Sequence, residues 1–366
     1  LIKCYAYVHF SSNISLRFSI FSDVTLTNII LSSLLALQVP AMQRDSVEVV
    51  LEFKSSVRAI EVVDNHTIIF SGFGGLVGIS QNSGKTWDTT IVKHNDQAPA
   101  FRACAFHDQN IFIASIESPG LIFKIPFNDL SQQELVYKNE HPSIFLDAIA
   151  FTDQGVGVVM GDPTDGCLTV LIGENNGEDW SLVPCGKMPK TKNNEAAFAA
   201  SNGNISIVGE EIWIASGGGA SRVFHSRYRG VDWVAYDTPM IQGGEMTGTF
   251  AVSFRDNKTG LLIGGDWGNK KNKYGNLAIT NNGGKNWELI SEGTGPGYRS
   301  SIVWHPTEKN TCIAIGSEGI DISRNEGYTW KRISKDGYFT GRFSPDGSTL
   351  WLAGHGKIGK ISFDEN

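Results

Sequence analysis

The segment Thr280-Asn-Asn-Gly-Gly-Lys-Asn-Trp287 decides the reading of this chain, because its pattern recurs four more times. The other copies are Ser80-Gln-Asn-Ser-Gly-Lys-Thr-Trp87, Gly173-Glu-Asn-Asn-Gly-Glu-Asp-Trp180, Ser226-Arg-Tyr-Arg-Gly-Val-Asp-Trp233 and Ser323-Arg-Asn-Glu-Gly-Tyr-Thr-Trp330. Gly stands three residues before Trp in all five, as Gly84, Gly177, Gly230, Gly284 and Gly327. Asn stands five before it in four, as Asn82, Asn175, Asn282 and Asn325. An Asn side chain accepts hydrogen bonds from backbone N–H groups ahead of it, and Gly permits positive φ, so the chain reverses tightly at each copy. The Trp is then placed to pack between neighbouring sheets. Successive Trp residues lie 93, 53, 54 and 43 positions apart, so the first gap hides one unit without the signature.

A second periodic feature supports the first. Short apolar runs ending in small residues begin at Ile68, Ile111, Val158, Ile212, Leu261, Cys312 and Leu350, 38 to 54 residues apart. Another strand precedes each, for example Val57-Arg-Ala-Ile60, Phe101-Arg-Ala-Cys104 and Tyr298-Arg-Ser-Ser-Ile302. Four short strands per unit, seven units and almost no helical periodicity predict an all-β, seven-bladed β-propeller over residues 42–366. The last unit has room for three strands, and Val47-Glu-Val-Val-Leu-Glu-Phe53 is a spare one. We expect it to complete the last blade and close the ring, which removes an open sheet edge.

Composition narrows the function. Of 366 residues 41 are Gly, only 19% are charged and 10% are aromatic, which excludes a disordered chain and a coiled coil. A net charge of −7 offers no global attraction for nucleic acid. Five Cys and eight His show no zinc spacing, so no metal or cofactor is expected. The Gly-rich stretches Ser71-Gly-Phe-Gly-Gly75 and Gly217-Gly-Gly-Ala220 lie between strands and open no helix, which argues against dinucleotide binding. Cys104 and Cys312 read as buried thiols, and Cys167 and Cys185, although in one unit, are expected to stay unbridged.

The recurrent turns resemble the Asp-box (BNR) repeats of sialidase-type propellers. Phe145-Leu-Asp-Ala-Ile-Ala-Phe151, Gly161-Asp-Pro-Thr-Asp-Gly166, Glu195-Ala-Ala-Phe-Ala-Ala-Ser201, Ser216-Gly-Gly-Gly-Ala-Ser-Arg-Val223 and Gly264-Gly-Asp-Trp267 are closer to the photosystem II stability/assembly factor-like propellers and their bacterial relatives. That resemblance implies a non-catalytic assembly or binding protein, often exported.

In a propeller the lead strands start on the face that carries the loops between second and third strands. Alignment of the lead strands places Arg58, Arg102, Asp147 and Arg299 around one funnel, with Glu195 less securely aligned. The loops add Glu117, Asp162, Asp165, Arg222, Asp266, Trp267, Glu318 and His355. Three converging Arg form a candidate carboxylate or anion site, because guanidinium binds carboxylates bidentately. The alternative is that Arg58, Arg102 and Arg299 pair with Asp147, Glu195 and Asp162 and merely seal the funnel.

A protein partner on this face is the leading expectation, with a glycan or small anion behind it and a monomer as the oligomeric state. The enzymatic alternative is a glycoside hydrolase or carbohydrate binder. A sialidase would need a Tyr nucleophile beside an Arg triad, and strand alternation sends Tyr298 and Arg299 to opposite sides. Asp147 and Asp162 belong to one unit and could stand about 5 to 10 Å apart, as a glycosidase requires.

Residues 1–41 read as a separate leader. The run Ile29-Ile-Leu-Ser-Ser-Leu-Leu-Ala-Leu37 is too short for the roughly 20 residues of a membrane span. It suits the apolar region of an export signal with cleavage after Ala41, which would make the protein periplasmic or secreted. A chain that starts at Met42 and stays cytoplasmic is the other reading.

Overall fold

The computed structural model describes residues 47–363. The expected leader lies outside them. Among the described residues strands occupy 51% and helix 2%, so the fold is all-β. Seven strands each lead an antiparallel array: β1 (Glu48–Val62), β2 (Phe101–His107), β3 (Leu146–Phe151), β4 (Ile205–Val208), β5 (Thr247–Phe254), β6 (Ser301–Trp304) and β7 (Thr340–Phe343). Behind β2, β3, β4 and β6 three further strands complete four-stranded sheets. The β5 sheet has six strands, because Glu195–Ala196 and Gly217–Gly218 extend its inner edge.

The β1 sheet has seven strands, in which β1 does two jobs. Its first half pairs with the C-terminal strand β8 (His355–Ser362), with Glu48 opposite Lys360 and Leu51 opposite Ile358. Its second half pairs with Ile68–Gly72, with Ile60 opposite Phe70. The spare strand and the first lead strand are therefore one continuous element.

Consecutive lead strands are neighbours from β1 through β7, and β7 is again a neighbour of β1. The apolar core lies between arrays. Ile69 and Val77 of the first array meet Phe101 and Ile113 of the second, and Trp351 and Ile358 of the last meet Val57, Ile60 and Phe70 of the first. Strand alternation sends one side of each array to the preceding neighbour and the other to the next, which is why the middle strands are buried throughout.

The recurrent turns fasten one array to the one before it. Ser80 Oγ accepts from Gly84 N at 2.9 Å, Asn82 Oδ1 accepts from Thr86 N at 2.9 Å, and Trp87 Nε1 donates to Gly84 O at 3.2 Å. The copies at Thr280 and Ser323 repeat all three bonds. The copy at Ser226 keeps the hydroxyl and indole bonds, while Tyr228 replaces the Asn. Each turn Gly has φ between +77° and +88°. Each also presses on the preceding array: a Cβ on Gly177 would stand 2.6 Å from the Phe112 ring, and one on Gly84 2.8 Å from the Trp351 ring. Trp233 is buried, and Trp87, Trp180, Trp287 and Trp330 are half-buried against the same inter-array clusters.

Residues 197–204, between Glu195–Ala196 and β4, carry no helix or strand, yet all eight are buried. Several of their polar groups are satisfied by lead strands of other arrays, as buried backbone requires, while the side-chain amide of Asn204 is buried with no partner among the described residues. Asn202 Nδ2 donates to Cys104 O of β2 at 2.7 Å, and Asn202 Oδ1 accepts from Ile149 N of β3 at 2.9 Å. Gly203 O accepts from Val252 N of β5 at 2.9 Å, and Ser201 O accepts from Thr340 Oγ1 of β7 at 2.8 Å. Ser201 Oγ donates to Ser300 O, just ahead of β6, at 2.6 Å. The segment is a plug on which the lead strands converge.

One cysteine expectation is overturned. Cys167 and Cys185 form a disulfide with Cα atoms 5.7 Å apart, because the chain folds back after Asp179–Leu182 and brings Cys185 beside the start of strand Cys167–Glu174. Cys104 and Cys312 are free and buried.

Candidate functional site

The three arginines that align in sequence have different surroundings. Arg299 is fully buried. Its Nε and Nη2 bond Asp321 Oδ2 at 3.0 and 2.5 Å, and its Nη1 donates to Tyr298 O at 2.6 Å. Arg332 holds the other oxygen of Asp321 at 2.7 Å. Arg299 is thus a structural cation and leaves the candidate anion site. Neither Tyr298 nor Arg299 belongs to a strand, so the alternation argument between them does not apply. Tyr298 is buried edge-on to Phe250, and burial pushes its hydroxyl pKa up, which works against ionisation of the phenol.

Arg222 and Glu195 also leave the site, because they satisfy each other. Arg222 Nε and Nη2 reach Glu195 Oε2 at 3.1 and 2.6 Å, and Nη2 donates to Lys190 O at 2.7 Å. Ser216 Oγ and Lys192 N complete the carboxylate's shell. Glu195 sits on the short extra strand ahead of the plug, not on a lead strand, which is why its alignment was insecure.

Arg58 and Arg102 remain. Both are half-buried, and neither has a carboxylate at ion-pair distance among the described residues. Each donates to the plug: Arg58 Nη1 to Ala200 O at 3.2 Å and Arg102 Nη1 to Ala199 O at 3.5 Å. The Arg58 guanidinium also lies 4.0 Å over the Phe339 ring. Burial, and then the like charge of Arg102, bring Arg58 down to about 10. Burial likewise lowers Arg102, with Asp147 and Glu117 acting against it. Two partly desolvated cations with no carboxylate at ion-pair distance among the described residues, held by carbonyl oxygens of the plug, are arranged for an anion from outside.

Asp147 and Asp162 have different surroundings. Asp147 is fully buried, and neither of its oxygens has a hydrogen-bond partner among the described residues. The N–H groups of Asp162 and Ala199 lie close without closing a normal bond. Burial and then the nearby Asp162 raise the Asp147 pKa well above the carboxylate range. Asp162 anchors the plug by accepting from Ala197 N at 2.8 Å. The first carboxyl is closed off from solvent, and one oxygen of the second is engaged by the plug.

Asp266 caps the short helix Trp267–Asn269 through Gly268 N and Asn269 N at 2.8 and 3.1 Å. That cap holds Trp267 out from the rim, 52% exposed, with the Lys270 ammonium 5.4 Å from its ring. Glu117, Asp165, Glu318 and His355 are exposed, and Glu318 pairs with Lys270 at 3.5 Å. Sequence reasoning missed Ala199, Ala200 and Phe339 as the partners of the arginines. The alanine-rich run Ala196-Ala-Phe-Ala-Ala-Ser201 is the signal that could have found the plug, since small side chains let an irregular segment thread a crowded centre, where Phe198 stacks on Phe250.

No family model matches the chain, and no curated protein matches it. Solved structures do. A structure of YCF48 bound to a D1 peptide is 14% identical, with 87% of this chain and 97% of that one covered at a TM-score of 0.63. YCF48 from Cyanidioschyzon merolae is 14% identical over 86% and 98% of the two chains, with a TM-score of 0.58. The WD40 β-propeller domain of Doa1 is 12% identical over 88% and 98%, also at 0.58. At such identities the likeness is one of fold, and that fold is a β-propeller.

Proposed function

We propose that this chain is a non-catalytic, seven-bladed propeller that docks an anionic segment of a protein partner on the face where the lead strands begin. The blade count and the closure are supported by the return of β7 to β1 and by the pairing of β1 with β8. The observation that carries the docking reading is the Arg58/Arg102 pair, two half-buried guanidiniums with no carboxylate at ion-pair distance among the described residues. A carboxylate or acidic side chain from a partner would supply the missing counter-charge, with Trp267 as an exposed anchor at the rim. The phrases shared with photosystem II assembly factor-like propellers, and the likeness of fold to a YCF48 solved with a peptide bound, support a protein rather than a glycan as the ligand. The turns read as Asp-box repeats, although Tyr228 departs from the pattern. The Cys167–Cys185 disulfide supports an exported protein in an oxidising compartment.

The test is affinity capture from extracts of the source organism, with wild type beside an Arg58→Met/Arg102→Met variant. Arg299 is left intact because its loss would damage the fold. A protein retained by the wild type and lost by an equally folded variant is the expected result. Identical captures from both would sink the docking reading.

A further inference from the structure

We propose that the Cys167–Cys185 disulfide is a dithiol-reducible latch on the rim segment 184–191. The two sulfurs have unequal settings. Cys167 opens the strand Cys167–Glu174 and is buried with Val158, Met160 and Phe224. Cys185 begins the 3-10 turn Cys185–Lys187, is half-buried, and has the Lys190 Nζ 3.2 Å from its sulfur. The segment that Cys185 anchors has two parts. Residues 192–197 are held without the disulfide, through Lys192 N to Glu195, the Glu195–Arg222 pair and Ala197 N to Asp162. Residues 184–191 have Thr191 N on Gly166 O at 3.1 Å, Lys190 O on Arg222 Nη2 at 2.7 Å and the buried Met188 side chain. The disulfide is the covalent tie on that upstream part, and Lys187 and Lys190 stand exposed within it.

The chemistry closes with a dithiol as reductant. Its thiolate attacks the accessible Cys185 sulfur, the S–S bond breaks, and Cys167 leaves and takes up a proton in its apolar cluster. The second thiol of the reductant attacks the mixed disulfide, expels Cys185 as a thiolate beside the Lys190 ammonium, and departs as a cyclic disulfide. Two electrons pass to the protein. Residues 184–191 are then free to lift, which removes the Lys190 carbonyl from Arg222 while the Glu195–Arg222 pair and the plug anchor stay in place. The inference does not depend on the docking reading.

The experiment is limited trypsinolysis of the full chain, oxidised or treated with dithiothreitol, read at the bonds after Lys187 and Lys190. A loop closed over a sequence separation of 18 restrains the opened chain enough that its removal should speed these cuts on the order of 100-fold. A Cys167→Ala/Cys185→Ser variant should cut at the reduced rate without any reductant. Equal rates within about twofold, in wild type with and without dithiothreitol, would overturn the proposal. So would two free thiols at 167 and 185 in the untreated protein. Loss of near-ultraviolet circular dichroism on reduction would also overturn it, since the bond would then staple the whole fold rather than one rim segment.

Discussion

Replacing Arg299 by Met, and in parallel Arg102 by Met, separates a structural cation from a binding one. In Arg299→Met the removed guanidinium is fully buried and supplies two bonds to Asp321 and one to the Tyr298 carbonyl. Asp321, itself buried, keeps only Arg332 as a partner among the described residues. Breaking a buried pair from one side costs about 3–5 kcal/mol, because the surviving charge loses its compensation. At roughly 2 °C per kcal/mol for a domain of this size, the melting temperature should fall by about 6–10 °C. Arg102→Met removes a desolvated charge that has no carboxylate at ion-pair distance and that repels Arg58. Its stability should stay within about 1 kcal/mol of wild type. Thermal melts of the three proteins in one buffer decide the matter. If Arg299→Met melts within about 2 °C of wild type, or Arg102→Met falls as far as Arg299→Met, the division of the arginines is wrong.

Two further substitutions probe the frame around the site. Gly177→Ala and Gly166→Ala both place a side chain at positive φ, +83° and +82°, but only Gly177 has a ring in the way, Phe112 at 2.6 Å. Denaturant titration should show about 1–2 kcal/mol lost at Gly166 and about 1–3 kcal/mol more at Gly177; equal losses would show that the turn does not press on the preceding array. Asp147→Asn should flatten the dependence of stability on pH and raise stability at neutral pH. The folded Asp147 holds its proton above the ordinary range, so the stability present below the unfolded carboxyl's pKa of about 3.9 is lost as pH rises through the raised folded value. Urea titrations from acid to neutral pH that show the same slope in both proteins would refute this.

Much of the architecture is local, and local features are legible. The strands expected at Ile68 and Cys312 are found as Ile68–Gly72 and Cys312–Gly316, and those at Ile111, Val158 and Leu261 begin one residue earlier. Apolar runs of strand length between Gly-rich turns leave the backbone few other ways to bury its side chains and pair its amides. The turn Gly was also legible, although only half of its reason was. Positive φ is a property of the turn itself, whereas the contact of Gly177 with Phe112 belongs to two arrays 65 residues apart in the chain.

The site was decided by tertiary structure. Arg58, Arg102 and Arg299 occupy similar places in the sequence repeat, so sequence treats them alike. Whether a guanidinium is neutralised depends on which carboxylate comes within about 4 Å of it. That carboxylate is Asp321 for Arg299, and among the described residues there is none for Arg58 or Arg102. The plug follows the same rule, since residues 197–204 have no periodicity and their partners come from lead strands scattered from Arg58 to Arg342. The disulfide depends on a 5.7 Å approach of two Cα atoms that spacing does not encode. Periodicity and turn chemistry act over a few residues and are written in the chain. Charge pairing and bridging act over a few ångströms between distant residues, and only the folded chain brings those residues together.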